Sequence, residues 1–245
     1  MNRIFTSLMV LLLAPVALAA PRPFELHQSL TVPMISVAAN DGKVAALTLD
    51  ACGGAFDEDL IQFLIQKNIP ATIFATKRWI DRNPRGVALL MTHRELFEIE
   101  DHGANHVPAV IGVGRRVYGI LGEPDVAHLV SEVTDGARAI EQVSGSAPQW
   151  YRGATAEYDA AAITVIKSLG YKIAGFSLNA DAGATLGRRA IVARLKAGRN
   201  GDIIIAHMNK PNSDTAEGLA EGLTWLLAHG FKFVTLNAMS VHESA

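Results

Sequence analysis

Two histidines four residues apart, His102 and His106, are the first candidates for chemistry in this sequence. On a helical turn, side chains at positions i and i+4 lie on one face, with Cβ atoms about 5–6 Å apart. That separation allows two imidazole rings to bind one divalent ion such as zinc, which takes neutral ring nitrogens at about 2.0–2.1 Å. A pair of polar loop histidines has the same spacing, so the pair alone leaves both interpretations open.

Other reactive side chains come directly after apolar runs that are typical of buried strands. Asp50 follows the first such run, the histidine pair follows the third, Arg152 the fourth and His207 the sixth. In parallel β/α barrels, catalytic residues gather at the carboxyl ends of the strands. The sequence therefore predicts that these side chains share one site.

This combination of residue types is suited to metal-assisted hydrolysis. A divalent metal polarises a carbonyl oxygen and lowers the pKa of bound water toward about 7. Asp50 is predicted to take the proton of the water, and His207 is predicted to protonate the leaving amine, because imidazole titrates near neutral pH. Arg152 is predicted to keep Asp50 ionised and oriented. The structural alternatives are a capping or turn aspartate for Asp50, a core histidine for His207 and a structural ion pair for Arg152.

The elements that must position these residues alternate between strand and helix. Strands are predicted at 43–49, 71–75, 96–100, 149–151, 171–178, 202–206 and 231–236. Helices are predicted at 57–67, 79–92, 125–143, 159–169, 186–197 and 215–229, the second with a break near Pro84. The alternation implies parallel pairing, which fits an open doubly wound sheet or a closed barrel. The glycine-rich segment 107–124 is predicted to be a functional loop or lid.

The N-terminus is typical of a secretory signal peptide at 1–19. Arg3 precedes an apolar core, and Ala17-Leu18-Ala19 matches an A-x-A cleavage signal. The apolar core is too short to span a bilayer. We expect cleavage after Ala19, which would leave one domain at 20–245 without a transmembrane anchor, in the periplasm or secreted.

The composition argues against several classes of protein. The formal net charge is −2 and no basic block occurs, so nucleic-acid or anionic-membrane binding has no electrostatic support. Hydrophobic residues make up 49% of the 245 residues, which is enough for one large core. Cys52 is the only cysteine, so no internal disulfide can form.

Taken in order, these motifs resemble those of the polysaccharide deacetylase family, the NodB-homology carbohydrate esterases of family 4. The similar motifs are Thr48-Leu49-Asp50-Ala51 for the family's T-F-D-D, His102 and His106 for H-x-x-x-H, Arg152-Gly153-Ala154-Thr155 for R-x-P-Y, and Ile205-Ala206-His207 for L-x-H. The resemblance extends from about residue 44 to residue 236. It implies an α/β fold, a distorted β/α barrel with about seven parallel strands.

The resemblance also implies an activity. The chain would be an exported hydrolase of non-peptide carbon–nitrogen bonds that removes acetyl groups from N-acetylglucosamine-type glycans, with a divalent metal as cofactor. Asp50 would be the base, His207 the acid and Arg152 the partner of the base. His102 and His106 would bind the metal, with zinc expected and cobalt, nickel or manganese as alternatives.

Two further residues are expected to contact the acetylated polysaccharide. Ile205 belongs to the L-x-H motif that the resemblance identifies. Tyr151 belongs to a set of aromatic residues that could stack on sugar faces: Trp79, Tyr118, Trp150, Tyr151 and Tyr158. The oligomeric state stays open.

The sequence departs from the family pattern at the metal site. Ala51 replaces the second aspartate, which is the family's usual third metal ligand. Candidate replacements are Asp50, Cys52, Asp57 and Asp101. Asp50 is favoured because it lies at the strand end facing the site. Cys52 offers a thiolate that binds zinc well, but its side chain is expected to project elsewhere.

The third and fourth family motifs are also altered. The proline and tyrosine of R-x-P-Y are absent, and in D-x-x-D-W Asn179 takes the first position while Asp181 is one place out of register. A catalytically weak or inactive carbohydrate-binding protein on the same barrel is therefore the alternative. A glycosidase would need two carboxylates flanking the bond, and only Asp50 is placed for that role.

Overall fold

The structure is a computed structural model that describes residues 30–33, 35–37, 42–238 and 241–243. The predicted signal peptide at 1–19 lies outside the described residues. Within the described part of the chain, no helix is both long and apolar enough to cross a bilayer.

Eight parallel strands form one curved sheet. They are β2 (Lys43–Ala51), β3 (Ala71–Ala75), β4 (Phe97–Asp101), β7 (Trp150–Tyr151), β8 (Lys172–Ile173), β9 (Leu178–Asn179), β10 (Ile203–His207) and β11 (Phe231–Val234). Their spatial order is β8-β7-β4-β3-β2-β10-β9, and β11 pairs with the first part of β2. This arrangement confirms the predicted α/β fold with a parallel, distorted barrel.

In the described part of the chain, two antiparallel strand pairs lie outside the main sheet. β1 (Ile35–Val37) pairs with β12 (Val241–Glu243), and β5 (Arg116–Val117) pairs with β6 (Ile120–Leu121). The second pair is a short hairpin inside the glycine-rich segment 107–124. The predicted loop therefore contains a small ordered unit.

Seven helices connect the strands in the described residues. They are α1 (Glu58–Gln66), α2 (Lys77–Arg82), α3 (Pro84–Thr92), α4 (Val126–Ser144), α5 (Ala160–Ser168), α6 (Arg188–Lys196) and α7 (Thr215–Ala228). Four begin at a side chain that accepts a backbone N–H of the first turn: Asp57, Thr76, Asp125 and Asp159. Such caps satisfy amide groups that a helix cannot pair internally. The predicted break near Pro84 is confirmed, because that residue begins α3 after Asn83.

The predicted strand at 171–178 is wrong as a single element. Ile173 pairs with Tyr151, whereas Leu178 pairs with Ile204 on the opposite side of the barrel. Between them, a Cβ on Gly175 would lie 1.6 Å from the carbonyl oxygen of Pro33. The chain leaves one neighbour and joins another at this close approach, so β8 and β9 are separate strands.

Strand register brings the reactive residues to one edge. On β2 and β10, Asp50 lies opposite His207. Asp101, the last residue of β4, lies opposite Ala75 and Tyr151, so the residues that follow it and Tyr151 emerge side by side. β2 is buried along its whole length after Lys43, as expected for a strand covered on both faces. The polar groups at its carboxyl end are therefore held by a rigid core.

Candidate active site

A cleft of about 680 Å³ opens at the carboxyl edge of the sheet. This volume lies within the range of about 300–1,000 Å³ that is typical of small-molecule sites. Residues from several strand ends and loops line it, including Asp50, Cys52, His106, Ile205, His207 and Asn209. The predicted base, acid and one predicted metal ligand therefore share a single cavity.

Asp50 and Arg152 form a buried ion pair beside this cleft. Arg152 Nη1 donates to Asp50 Oδ1 at 2.8 Å and to Thr48 Oγ1 at 2.9 Å, and its Nη2 donates to the carbonyl of Gly175 at 2.9 Å. The guanidinium also stacks over the Phe74 ring at 4.1 Å. Because one carboxylate oxygen is committed to Arg152, the other, Oδ2, faces His102, whose Nε2 is 3.7 Å away.

The histidine pair converges with the only cysteine. The donor atoms of Cys52, His102 and His106 all lie within 4.8 Å of one another. Cys52 Sγ is 3.6 Å from His102 Nε2, and the two imidazole centroids are 4.9 Å apart. Among the described residues, this is the group with metal-ligand spacing, and Asp50 is not part of it. The expectation that Asp50 is the third metal ligand stays a prediction, since Asp50 Oδ2 lies 3.7 Å from His102 Nε2, and Cys52 is a second candidate at 3.6 Å.

The helical explanation of the histidine spacing is wrong. Both residues lie in the irregular loop that follows β4, and His106 has a left-handed backbone with φ +65°. The loop folds back on itself, and this brings the rings together without a helical turn.

A hydrogen bond fixes the tautomer of His102. Its Nδ1 lies 2.5 Å from the carbonyl oxygen of Arg152, which can only accept, so Nδ1 carries the proton. The lone pair of Nε2 then faces Cys52. A metal-binding histidine is usually oriented by a carbonyl or carboxylate in this way.

The loop between the two histidines is anchored to α4. The buried carboxylate of Glu132 accepts the backbone N–H groups of Asn105 at 2.8 Å and Val107 at 3.1 Å. Its own carbonyl accepts the N–H of Ala104 at 2.9 Å. Gly136 allows the close packing, because a Cβ there would come within 2.7 Å of the Gly103 backbone.

The carboxylate of Asp181 orients His207, a role that was not predicted from the sequence. His207 Nδ1 lies 3.0 Å from Asp181 Oδ1, and its backbone N–H donates to Asp181 Oδ2 at 2.9 Å. Asp181 is fully buried and also accepts from Thr215 Oγ1 at 3.2 Å. The imidazole therefore donates from Nδ1 and leaves Nε2 for other contacts.

The charges of the site shift its pKa values strongly. Burial raises the pKa of the Asp50 carboxyl, but Arg152, His102 and His207 outweigh it, and the net pKa is lowered. Burial also raises the pKa of the Cys52 thiol, but hydrogen bonds with three histidines bring it well below its ordinary value. These shifts favour the anionic forms of both groups, which are the forms that bind cations.

The pKa values of the His102 and His207 imidazoles are shifted in the opposite direction, upward. Burial lowers the pKa of His102, but Asp50 and Cys52 outweigh it and raise the net pKa. Burial also lowers the pKa of His207, but the hydrogen bond with Asp181 and further contacts raise it well above its ordinary value. Protonation of His207 is therefore favoured, as a general acid requires.

Several candidates from the sequence lie away from the cleft. Tyr151 is fully buried in a cluster with Leu129, Val133 and Tyr158, so its predicted contact with substrate is corrected to a packing role. Of the aromatic set, Tyr118 lines the cleft. Ile205 also lines it, in agreement with its expected position.

The other candidate carboxylates have structural partners. Asp57 caps α1 by accepting the N–H of Leu60 at 3.0 Å. Asp101 accepts the N–H of Gly103 at 2.8 Å and lies against Gly136. Burial raises the pKa of Asp101 well above its usual value, so its neutral form is favoured. Neither belongs to the donor group around His102.

Asn209 is a further residue that sequence reasoning missed. It is buried, it lines the cleft, and its Oδ1 has no hydrogen-bond partner among the described residues. Buried polar atoms are normally paired. Its position two residues after His207 is the signal that could have identified it.

Solved structures share this fold at low sequence identity. BA3943, a CE4 family pseudoenzyme from Bacillus anthracis, is 17% identical, with a TM-score of 0.68 over 85% of this chain and 69% of its own. The Bc1960 peptidoglycan N-acetylglucosamine deacetylase is 19% identical, with a TM-score of 0.69 over 85% and 92%. The peptidoglycan deacetylase PdaC from Bacillus subtilis is 18% identical, with a TM-score of 0.66 over 82% and 91%. At these identities the likeness shows the fold alone.

Comparison at the sequence level identifies the family. No curated protein matches the chain. A sequence model of the polysaccharide deacetylase family matches residues 38–174, which is more than half of the 245 residues. The matched segment includes Asp50, Cys52, both histidines of the loop and Arg152. The chain therefore belongs to the polysaccharide deacetylase family.

Proposed function

We propose that this protein is an exported, divalent-metal-dependent N-deacetylase that hydrolyses the acetamido group of N-acetylglucosamine-type glycans. Peptidoglycan, chitin-like polymers and other exopolysaccharides are the substrate candidates. The observation that carries the proposal is the convergence of a charged base, a metal donor group and an oriented imidazole on one cleft. The signal-peptide pattern at 1–19 supports a periplasmic or secreted location.

The donor group fits a divalent metal such as zinc. Imidazole nitrogen and thiolate sulfur are ligands that zinc prefers, and His102, His106 and Cys52 offer them from one small region. When bound there, such an ion would polarise the acetyl carbonyl and make a water molecule more acidic.

Asp50 is placed to act as the general base. Arg152 holds Oδ1 and favours the ionised form, while Oδ2 faces the donor group. As water attacks the acetyl carbon and a new carbon–oxygen bond forms, Oδ2 can take the proton of the water.

His207 is placed to act as the general acid. Asp181 accepts the hydrogen bond from Nδ1, so the proton on Nε2 is the one available to the substrate. Transfer of this proton to the amide nitrogen accompanies cleavage of the carbon–nitrogen bond. The products are acetate and a free amino sugar.

A second candidate function is carbohydrate binding without efficient catalysis. Ala51 replaces the family's second aspartate and is fully buried in the hydrophobic core. The fold neighbour BA3943 is a pseudoenzyme, and one of its mutants has restored enzymatic activity. A donor group that includes Cys52 favours retained catalysis here, because it supplies a third metal ligand from another position.

Acetate release from N-acetylglucosamine oligomers and from peptidoglycan tests the proposal. Purified protein would be assayed after chelation and after addition of zinc or cobalt, with Asp50→Asn and His207→Ala as variants. We expect chelation to abolish the activity, and each variant to lose about 10²–10⁴-fold in rate. Glycan binding without acetate release by the metal-loaded protein would instead support the non-catalytic alternative.

The location needs a separate test. Expression of the full chain, followed by N-terminal sequencing of the protein recovered outside the cytoplasm, should identify a chain that begins after Ala19. Recovery of only the uncleaved chain in the cytoplasm would contradict export.

A further inference from the structure

We propose that Cys52 is the third protein ligand of the metal site, as a thiolate, and that the centre therefore selects thiophilic ions such as zinc, cobalt and cadmium over manganese and magnesium. The inference rests on the metal dependence proposed above, but not on catalysis. It gives the site a histidine–histidine–cysteine donor set where the family pattern has an aspartate at position 51.

The distance between two of the donors matches one shared ion. A tetrahedral zinc with a Zn–N distance of about 2.0–2.1 Å and a Zn–S distance of about 2.3 Å separates sulfur from nitrogen by about 3.6 Å. Cys52 Sγ lies 3.6 Å from His102 Nε2. The nearest donor atoms of His106 complete the group within 4.8 Å.

The backbone around Cys52 is held rigidly in this position. Its carbonyl accepts hydrogen bonds from Thr76 Oγ1 at 2.9 Å and Arg78 Nε at 2.8 Å. At Gly54, a Cβ would lie 2.0 Å from the carbonyl oxygen of Asn209. This close approach requires glycine, and together these contacts hold the backbone that carries Cys52.

The donor nitrogen of His102, Nε2, is also oriented for binding. Its Nδ1–H is donated to the Arg152 carbonyl, and Nε2 faces the sulfur. Arg152 holds Asp50 Oδ1, while Asp50 Oδ2 is 3.7 Å from His102 Nε2 and is not one of the three donors that lie within 4.8 Å of one another. Ala51 is fully buried and offers no donor. The described residues thus place sulfur where a third ligand is needed.

The chemical consequence is metal selectivity. Soft thiolate ligands favour zinc and other thiophilic ions, whereas manganese and magnesium favour carboxylate, carbonyl and water oxygens. Replacing carboxylate by thiolate keeps the charge of the ligand but changes its softness. We therefore expect the preference for zinc over manganese to depend on Cys52.

Cobalt spectroscopy tests the ligand directly. The chain contains a single cysteine, so any thiolate-to-cobalt charge-transfer band in the near ultraviolet must come from Cys52. We expect this band in the cobalt-loaded wild type and not in Cys52→Ser or Cys52→Asp. Stoichiometric cobalt binding by the wild type without the band would overturn the proposal.

Competition between metals tests the selectivity. We expect Cys52→Asp to bind metal but to lower the ratio of zinc to manganese affinity by at least about 10-fold. An unchanged ratio would contradict the proposed role of sulfur. Ser146→Ala, which removes an exposed hydroxyl just after α4, is the control and should keep the wild-type ratio.

If the cysteine variants do not fold, a measurement on the wild type alone still tests the ligand assignment. Alkylation of Cys52 should be slowed at least about 10-fold by stoichiometric zinc and not by magnesium, because a bound thiolate is protected. Equal alkylation with and without bound zinc would overturn the proposal. A charge-transfer band without acetate release would support the ligand assignment and contradict only the deacetylase function.

Discussion

Arg152 balances the charge of Asp50 inside the protein. Both side chains are buried, and all of the guanidinium's observed hydrogen bonds come from its two terminal nitrogens. Removing one partner of a buried pair leaves an uncompensated charge, which typically costs about 3–5 kcal/mol. The residue therefore serves the fold as well as the candidate reaction.

We expect Arg152→Met to lower the free energy of unfolding by about 3–5 kcal/mol, because Asp50 loses its counter-charge. Urea denaturation measures the change. In the Asp50→Asn background the same substitution should cost less, since the charge to be compensated is gone. Arg138→Met, which breaks an exposed pair with Asp135, is the control with a much smaller effect. Equal costs of Arg152→Met in both backgrounds would contradict the coupling.

Asp181 is a positioning residue for His207. We expect Asp181→Asn to lower the rate of acetate release by part of the roughly 10²–10⁴-fold contribution of a general acid. Loss of the carboxylate charge also favours the neutral imidazole, so the pKa of His207 and the alkaline limb of the pH–rate profile should both move to lower pH. NMR titration of the imidazole checks the first shift without needing activity.

The control for this variant is Asp135→Asn, which changes an exposed carboxylate on α4. It should leave both the rate and the titration of His207 unchanged. An unaltered titration in Asp181→Asn would show that the hydrogen bond does not set the charge of the imidazole.

At the scale of elements, α4 positions the loop that carries His106. The helix supplies the Glu132 carboxylate to backbone N–H groups on both sides of the histidine. These bonds hold a left-handed residue in place. Through Glu132, α4 therefore holds the backbone on both sides of His106.

We expect Glu132→Gln to weaken zinc affinity by at least about 10-fold, the lower end of the usual effect of outer-sphere changes. The neutral amide is a weaker acceptor than the carboxylate, so the loop should be less well held. A competition titration with a chromophoric chelator measures the affinity. Glu141→Gln, an exposed change on the same helix, is the control. Unchanged affinity in Glu132→Gln would show that the loop holds its shape without this anchor.

The sequence predicted most elements because their signals are local. The cap at Asp57, the break at Pro84 and the apolar run of β10 each reveal an element within a few residues. The segment 171–178 was misassigned because its division depends on which strands lie beside each half. Pairing partners distant in sequence decide that, and local patterns do not contain them.

The candidate site was predicted in part, because some of its residues are identified by local sequence signals and others are not. Asp50 and His207 each follow a predicted parallel strand, which placed them at one edge, and the register confirms that they are neighbours. Cys52, two residues after Asp50, was expected to project elsewhere. It lies just beyond the end of β2, where hydrogen bonds from α2 and its N-cap, which are distant in sequence, set the direction of the chain.

At the scale of the whole molecule, two buried carboxyl groups link stability to pH. Burial raises the pKa of Glu100 to about 7, although it accepts backbone hydrogen bonds from Gln149 and Trp150. Burial and the nearby Glu132 raise the pKa of Glu123 to about 7 as well. Both values lie above the ordinary 4.5 of glutamate. The folded protein therefore retains protons that the unfolded chain releases.

Glu123 allows this linkage to be tested at a residue that does not line the cleft. Its Oε1 has no hydrogen-bond partner among the described residues. As pH rises above about 4.5, the unfolded state loses its proton first, so the folded state binds more protons and the free energy of unfolding falls until the pH passes about 7. The loss should be roughly 1–3 kcal/mol, because the difference between pKa 4.5 and about 7 corresponds to about 3.5 kcal/mol and solvent screening reduces it.

We expect Glu123→Gln to remove this pH-dependent fall in the free energy of unfolding, because the amide stays neutral at every pH. Urea denaturation of the metal-free protein at pH 5, 6, 7 and 8 measures it, with chelator present so that metal binding does not contribute. The stability of the variant relative to wild type should rise from pH 5 to pH 8. Glu141→Gln should give a constant difference. A constant difference for Glu123→Gln as well would show that Glu123 titrates like an exposed carboxyl group.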